Sequence, residues 1–260
     1  MKFVIPSFNR EDMIKLKTLK FLFTHDIKPE EIDIVVETED MKDRYIKSIG
    51  NQYNIIVSGT HGIKEKRNFV RSYYRDETDH DKIVCIDDDI DKLIDIDKPL
   101  DLRGVIEEAF DICKWDGICM WGLCPFHNPF FMTRSPRTST NLKYICGAFF
   151  GLVIDRTKKI IHTDIDHGED YQFTMEHFLR DGGVLRFNHI SINTKYFEQK
   201  GGICESLGGL KNRQVQMKEN SEYLVKKYPG MCSLKLKKLG YDIRLNGRFK
   251  AKQTALEKIV

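Results

Sequence analysis

Four short apolar runs open the chain: Phe3–Ile5, Ile32–Glu37, Asn54–Val57 and Lys82–Ile86. Each is rich in Val and Ile and bounded by Pro, Asn, Gly or Asp. Continuous β-branched runs of this length predict strands buried on both faces. Between them lie polar stretches with apolar residues at helical spacing. These are Glu11 to His25 (Met13, Leu16, Leu19, Phe21, Leu22), Met41 to Ile49, and Lys64 to Asp76 (Phe69, Tyr73). The alternation predicts a mixed, mainly parallel α/β sheet flanked by helices.

The same reading continues past Leu102. Leu102 to Cys113 predicts a helix, Gly117–Leu123 a strand, and the Pro-, Ser-, Thr- and Arg-rich Pro125 to Thr140 a long loop. Tyr144 to Ile154 predicts a strand broken by Gly147 and Gly151, where backbone and ligand come close. Asp170 to Arg180 carries Phe173, Met175, Phe178 and Leu179 at helical spacing, and Val184–Ile192 predicts another strand. Gly201-Gly202 and Gly208-Gly209 flank an expected flexible loop, and a last helix from Lys211 to Lys227 stops at Tyr228-Pro229-Gly230. The expected organisation is a catalytic domain over 1–195 and an acceptor-side loop with a helical, basic extension over 196–260.

The 260 residues, 41% of them hydrophobic, suffice for one sizeable core. No apolar run approaches the length of about 18 residues that a membrane span requires, and Met1–Pro6 lacks the long apolar stretch of a signal peptide. Seven scattered cysteines, several inside apolar runs (Cys85, Cys146), suit reduced thiols in a cytoplasmic setting. Cys113, Cys119, Cys124 and His127 are spaced too irregularly for a zinc ribbon or finger and read as small core residues. The net charge of +3 is unevenly spread. Asp76 to Asp101 holds eleven acids and three lysines; Cys232 to Lys252 holds seven basic residues and one acid. An acidic segment beside a metal–phosphate site and a basic tail near an anionic partner fit this pattern, as do two solvated faces.

The chemistry concentrates at turns. Ile83–Ile86 delivers three carboxylates in a row, Asp87, Asp88 and Asp89. Charge cannot stay buried unpaired, so the strand ends there. In an extended chain Asp87 and Asp89 share a face, and two such carboxylates suit Mg²⁺ or Mn²⁺ holding phosphates. Strand ends are also where parallel sheets bind ligands; a surface acidic turn is the alternative. Pro6-Ser7-Phe8-Asn9-Arg10 follows the first strand at a helix start, which favours anions. It carries neither a dinucleotide fingerprint nor a P-loop, and a capped helix start explains it equally well. Lys66-Arg67-Asn68 lies between the third strand and its helix. Glu169 and Asp170 open a helix after Gly168, as a general base or as ordinary N-terminal charge.

Together these four features resemble the nucleotide-sugar glycosyltransferases of the GT-A fold, over residues 3 to 195. The resemblance implies that Pro6, Ser7, Asn9 and Arg10 line the nucleotide pocket and that Glu37 contacts base or ribose. Arg67 would approach the diphosphate or the sugar, Asp87 and Asp88 the nucleotide, and Asp87 with Asp89 the metal, Mn²⁺ or Mg²⁺. His189 is the candidate third metal ligand, with a core role as the alternative. Asp170, beside Glu169, would deprotonate the acceptor hydroxyl in an inverting displacement, and a UDP-sugar is the expected donor. Gly147-Ala148, Gly168–Asp170, Gly201-Gly202 and Asn220…Leu224…Tyr228-Pro229 further resemble the bacteriophage TET/JBP-associated glycosyltransferases. That implies transfer to a 5-hydroxymethylpyrimidine in double-stranded DNA, in the cytoplasm of an infected host. Lys235, Lys237, Lys238, Arg244, Arg248, Lys250 and Lys252, with Tyr241 and Phe249, suit DNA phosphates. Arg134, Arg137 and Lys143 sit in or next to the long loop, and Phe126, Phe130 and Phe131 suit stacking at a flipped base, or core packing. The rival readings are a glycan, lipid or protein acceptor, nucleotidyl transfer, and a binding module without activity.

Overall fold

The computed structural model describes residues 1–193, 210–237 and 240–250. Its main sheet joins β1 (Lys2–Pro6), β2 (Ile32–Val36), β3 (Asn54–Val57), β4 (Lys82–Ile86), β5 (Lys92–Asp95), β6 (Met120–Cys124), β7 (Thr138–Ser139), β8 (Phe149–Val153) and β9 (Leu185–Asn193). The spatial order is β3-β2-β1-β4-β8-β6-β9-β5, with β7 also on β9. β1, β2, β3, β4, β6 and β9 run one way and β5, β7 and β8 run against them, so the sheet is mixed and mainly parallel.

This topology puts the functional segments on one edge. The parallel strands β1, β2 and β4 release Ser7–Arg10, Glu37 and Asp87–Asp89 from their C-terminal ends. β8 runs against β4 with Ile86 opposite Phe149, so its entry, Gly147-Ala148, returns to that edge. The Asp87 amide donates to the Ala148 carbonyl at 2.9 Å.

Strand alternation splits the core in two. Phe3, Ile5, Tyr45, Trp121 and Phe149 lie on one side of the sheet, and Val4, Val35, Tyr74, Phe150 and Phe173 on the other. Gly151 is a packing requirement: a Cβ there would lie 2.1 Å from the buried Trp121 Nε1. Leu224, Tyr228 and Ile243 join the second cluster, which seats the C-terminal helix Leu210–Lys227. Among the described residues six cysteines, including Cys113, Cys119 and Cys124, are buried as small core residues.

Four elements differ from the sequence expectation. The first helical stretch widens into a π-turn at Lys15–Leu19 between Glu11–Ile14 and Lys20–Thr24. β5 follows the acidic turn, where no strand was expected. The long 125–140 loop contains a short helix, Pro129–Met132, and β7. The basic tail is not purely helical: β10 (Cys232–Lys237) and β11 (Gly240–Leu245) form an antiparallel hairpin. Ser233–Leu236 are exposed throughout, and Ile243, paired with Leu234, is buried. The expected Gly201–Gly209 loop lies outside the described residues.

Candidate active site

The acidic turn is held from three directions. β4 ends at Ile86, so Asp87–Asp89 form a turn and not a strand; the face-sharing of an extended chain does not apply, and each carboxylate has its own partners. Asp88, 5% exposed, accepts from Ser7 Oγ at 2.6 Å and from Arg10 Nη1 at 2.9 Å. Arg10 Nη1 also lies 3.5 Å from Asp89 Oδ2. Asp87 accepts from Arg67 Nη2 at 3.0 Å. Below the turn, Thr18 Oγ1 in the π-turn donates to the Asp87 carbonyl at 2.7 Å and accepts from the Ile90 amide at 2.9 Å. A π-bulge that re-aims one side chain onto a functional loop is a recurrent device.

The segment after β1 is tied to the same turn. Ser7 Oγ meets Tyr45 Oη at 2.6 Å, and the Arg10 amide donates to that oxygen at 3.0 Å. Burial pushes the Tyr45 hydroxyl up to about 12, so it stays protonated. Asn9 takes a left-handed φ of 52° and accepts from Arg44 Nη2 at 2.6 Å. Glu37 accepts from the Gly62 amide and faces His61, both at 3.1 Å, and lies 3.5 Å from Lys66 Nζ. Lys66 is itself 3% exposed and donates to the Ser7 carbonyl at 2.9 Å. Burial lowers its pKa, while Glu37 and Asp88 act the other way. Phe8 lies edge-on to His61 with ring centroids 6.0 Å apart.

Arg67 joins this half to the helix Glu169–Asp181. Its guanidinium contacts Glu169, Asp87 and the Gly147 carbonyl. Burial opposes its charge, but Glu169, Asp87 and Asp170 outweigh burial and raise its pKa. A Cβ on Gly147 would come within 2.2 Å of Arg67 Nη1, so the backbone here must be glycine. Glu169 is buried and spent on Arg67. Its charge is thereby neutralised by a cation.

Asp170 has a different environment. Its Oδ2 accepts from Tyr144 Oη and from the Gly147 amide at 3.2 Å; its Oδ1 accepts from the Tyr171 amide at 3.0 Å. Burial, then Glu169, push the carboxyl up to about 7 against the pull of Tyr144, Arg67 and Gly147. A carboxyl with that pKa is matched to proton abstraction near neutral pH. Asp87 is likewise pushed up to about 7 by burial, with Asp89, Asp88 and Glu169 adding to it and Arg67 opposing.

Thus Ser7, Arg10, Asp87, Asp88, Asp89, Arg67, Glu169 and Asp170 form one continuous network at one sheet edge; Glu37 joins through Lys66, and Pro6 ends β1. His189 does not join Asp87 and Asp89 in a metal-sized group. Its ring sits with Asp95 and Asp97, because β9 brings it opposite the end of β5. Sequence reading missed Tyr45 and Tyr144, while Lys66 lies beside Arg67 at the edge where it was expected. Tyr45 gave only a helical apolar position; Gly147, two residues before a strand, was the one signal near Tyr144.

The sequence model of the TET-associated glycosyltransferases matches residues 1–202. No curated protein matches the sequence. Among solved structures, a mycobacterial protein is similar with a TM-score of 0.52 and 12% identity, covering 95% of this chain and 83% of that one. S. aureus TarS 1-349 in complex with UDP-GlcNAc gives 0.48 and 16%, covering 84% and 66%. The galactosyltransferase LgtC in complex with donor and acceptor sugar analogs gives 0.45 and 10%, covering 83% and 95%. With a family match over residues 1–202, most of its length, this chain belongs to the TET-associated glycosyltransferases.

Proposed function

We propose that this glycosyltransferase moves a sugar from a nucleotide sugar, a UDP-sugar by preference, onto the hydroxyl of a 5-hydroxymethylpyrimidine in DNA. The observation that carries the reading is Arg67. One guanidinium holds both Asp87, at the donor side, and Glu169, next to the acceptor-side base Asp170. Donor and acceptor chemistry are thereby set at fixed separation, which is how an enzyme lowers the entropic cost of a displacement.

The acids fit a divalent cation. Three carboxylates crowd one turn; burial, with repulsion from Asp89 and Asp88 added to it, raises the pKa of Asp87, and a hard cation would offset both. Asp88 is the most enclosed of the three, its side chain 6% exposed against 34% for Asp87 and 13% for Asp89, so Asp87 and Asp89 are the residues that would hold Mn²⁺ or Mg²⁺. Bound there, the cation would neutralise the diphosphate leaving group. Ser7, Asn9, Arg10 and Glu37 surround the nucleotide. Asp170 accepts the acceptor proton on Oδ1, since Oδ2 already takes two donors.

The DNA acceptor is supported by the family and by the 125–140 segment. Phe126, Phe130 and Phe131 are 56%, 54% and 60% exposed, unlike core aromatics. Arg134 lies 3.7 Å over the Phe130 ring. Exposed aromatics beside arginine suit unstacked bases. In the tail, Arg244, Arg248 and Lys250 are exposed, whereas Phe249 packs on Phe178 at 6.3 Å and serves the core. No helix among the described residues is long and apolar enough to cross a membrane.

The test is transfer to duplex DNA carrying 5-hydroxymethyluracil or 5-hydroxymethylcytosine, with Mn²⁺ and a panel of UDP- and GDP-sugars, read by mass spectrometry. The expected result is a sugar mass gain on one base, absent in Asp89→Ala. Metal-dependent hydrolysis of a nucleotide sugar without any gain on DNA would overturn the acceptor and keep the donor chemistry.

A further inference from the structure

A second cluster of ligating groups lies at the β5–β9 edge. Asp95 ends β5, Asp97 follows it, and His189 faces them from β9, where Ile190 pairs with Asp95. One ligand atom from each lies within 4.8 Å of the others. None of the three belongs to the acidic turn after β4.

The Asp95 side chain is 1% exposed. Its Oδ1 accepts from the Asp97 amide at 2.9 Å, but its Oδ2 is buried with no hydrogen-bond partner. That orphaned oxygen lies 4.0 Å from His189 Nε2. A buried carboxylate oxygen without a donor is costly, and such an atom calls for a cation or a proton. The histidine is set up to complement it. Its Nδ1 is 3.0 Å from the Arg137 carbonyl, which only accepts, so Nδ1 carries the proton and Nε2 keeps its lone pair. A backbone carbonyl that fixes the tautomer in this way is the usual outer partner of a metal-binding histidine.

Arg137 covers the cluster with its guanidinium. Nη2 lies 2.8 Å from His189 Nε2, and Nη1 contacts Asp97. The Arg137 side chain is 55% exposed and free to swing outward. We propose that Asp95, Asp97 and His189 form a binding site for a divalent transition metal, Zn²⁺ by the chemistry of one imidazole and two carboxylates. Arg137 competes with the cation for the same lone pairs. The occupied site ties the 125–140 segment to β5 and β9 through the Arg137 carbonyl, and it releases the Arg137 guanidinium to solvent beside Arg134.

The test uses the full chain carrying Asp89→Ala, which removes a ligand from the nucleotide-side acids, without nucleotide. Co²⁺ is titrated by visible absorption, with Zn²⁺ displacing it. The expected result is one Co²⁺ per chain, lost in Asp95→Asn and His189→Gln. Arg137→Ala, a change at an exposed side chain, is expected to tighten binding about tenfold by removing the competing cation. Absence of Co²⁺ binding in Asp89→Ala would overturn the proposal. So would retention of binding in His189→Gln, or an unchanged or weaker affinity in Arg137→Ala. This reading stands apart from the acceptor assignment, because no sugar or DNA enters the measurement.

Discussion

Tyr144→Phe isolates the hydrogen bond that tunes the proposed base, Asp170. The Tyr144 ring is stacked on Tyr171 with centroids 4.1 Å apart and an interplanar angle of 21°, so removing the hydroxyl leaves the ring seated. What is lost is one donor to Asp170 Oδ2, with the Gly147 and Tyr171 amides remaining. A hydrogen bond to a charged group contributes about 1.5–3 kcal/mol, and about 1.4 kcal/mol corresponds to one pH unit. Burial and Glu169 already push Asp170 up to about 7, and Tyr144 is among the groups holding it down. Its removal therefore raises the midpoint further, by about one unit after allowing for the two remaining donors. In the proposed role as base the ionised carboxylate is the active form. Activity rises with pH through the folded pKa, and the variant's curve moves to higher pH. At pH 7 kcat/KM falls about fivefold and at lower pH about tenfold, while the alkaline plateau stays close to the parent's. The assay is kcat/KM for transfer against pH in both proteins. An unchanged or lowered midpoint with a lost plateau would refute Asp170 as the base tuned by Tyr144.

Other perturbations probe the rest of the network. Asp170→Asn is expected to lower transfer by about 10²–10⁴-fold with the nucleotide affinity intact, read by steady-state kinetics and nucleotide titration. Gly147→Ala forces a Cβ against the Arg67 guanidinium and is expected to cost about 1–3 kcal/mol in urea unfolding and most of the transfer rate. Asp88→Asn leaves Arg10 and Ser7 without their buried anion and is expected to destabilise the fold by about 3 kcal/mol, whereas Asp89→Ala abolishes transfer at a cost within about 1 kcal/mol. For Asp181, burial works against ionisation but His177 and Arg180 outweigh it, holding its pKa well below the usual carboxylate range. Its contribution is present above the unfolded carboxylate pKa of about 4 and is lost as pH falls below that value. Asp181→Asn is therefore expected to flatten the acid limb of a pH–stability curve measured by thermal melting.

The strands of the sheet's first half were legible because each is an uninterrupted apolar run: Asn54–Val57 and Lys82–Ile86 hold to the residue. β5 was not legible. Lys92-Leu93-Ile94-Asp95 is flanked by acids and reads as part of a polar turn; only pairing with β9 makes it a strand. The β10–β11 hairpin failed for a related reason. Lysines occupy alternate positions of Ser233–Lys237, and charge at that density masks a half-exposed strand. The π-turn had no sequence signal, since Thr18 is an ordinary residue until its hydroxyl is seen between the Asp87 carbonyl and the Ile90 amide.

The site divides along the same line between local and non-local causes. Where a strand delivers carboxylates to a sheet edge, topology alone places them, and Asp87–Asp89 could be named from the apolar run that precedes them. The division of labour inside the trio is set by partners far along the chain. Ser7 lies 81 residues from Asp88, and Glu169 lies 102 residues from Arg67. No spacing rule reaches that far, so Glu169 and Asp170 looked equivalent as neighbours at a helix start. They differ because a helix turns about 100° per residue. That rotation sends Glu169 inward onto Arg67 and leaves Asp170 facing Tyr144 and the Gly147 amide. The pair therefore carries one charge that is neutralised by a cation and one that is not, and the second is the carboxyl whose pKa rises to about 7. An Asp-Glu swap at these two positions would preserve composition and net charge. It would still remove the base, because the longer side chain would no longer match the Tyr144 hydroxyl and the shorter one would no longer span to Arg67.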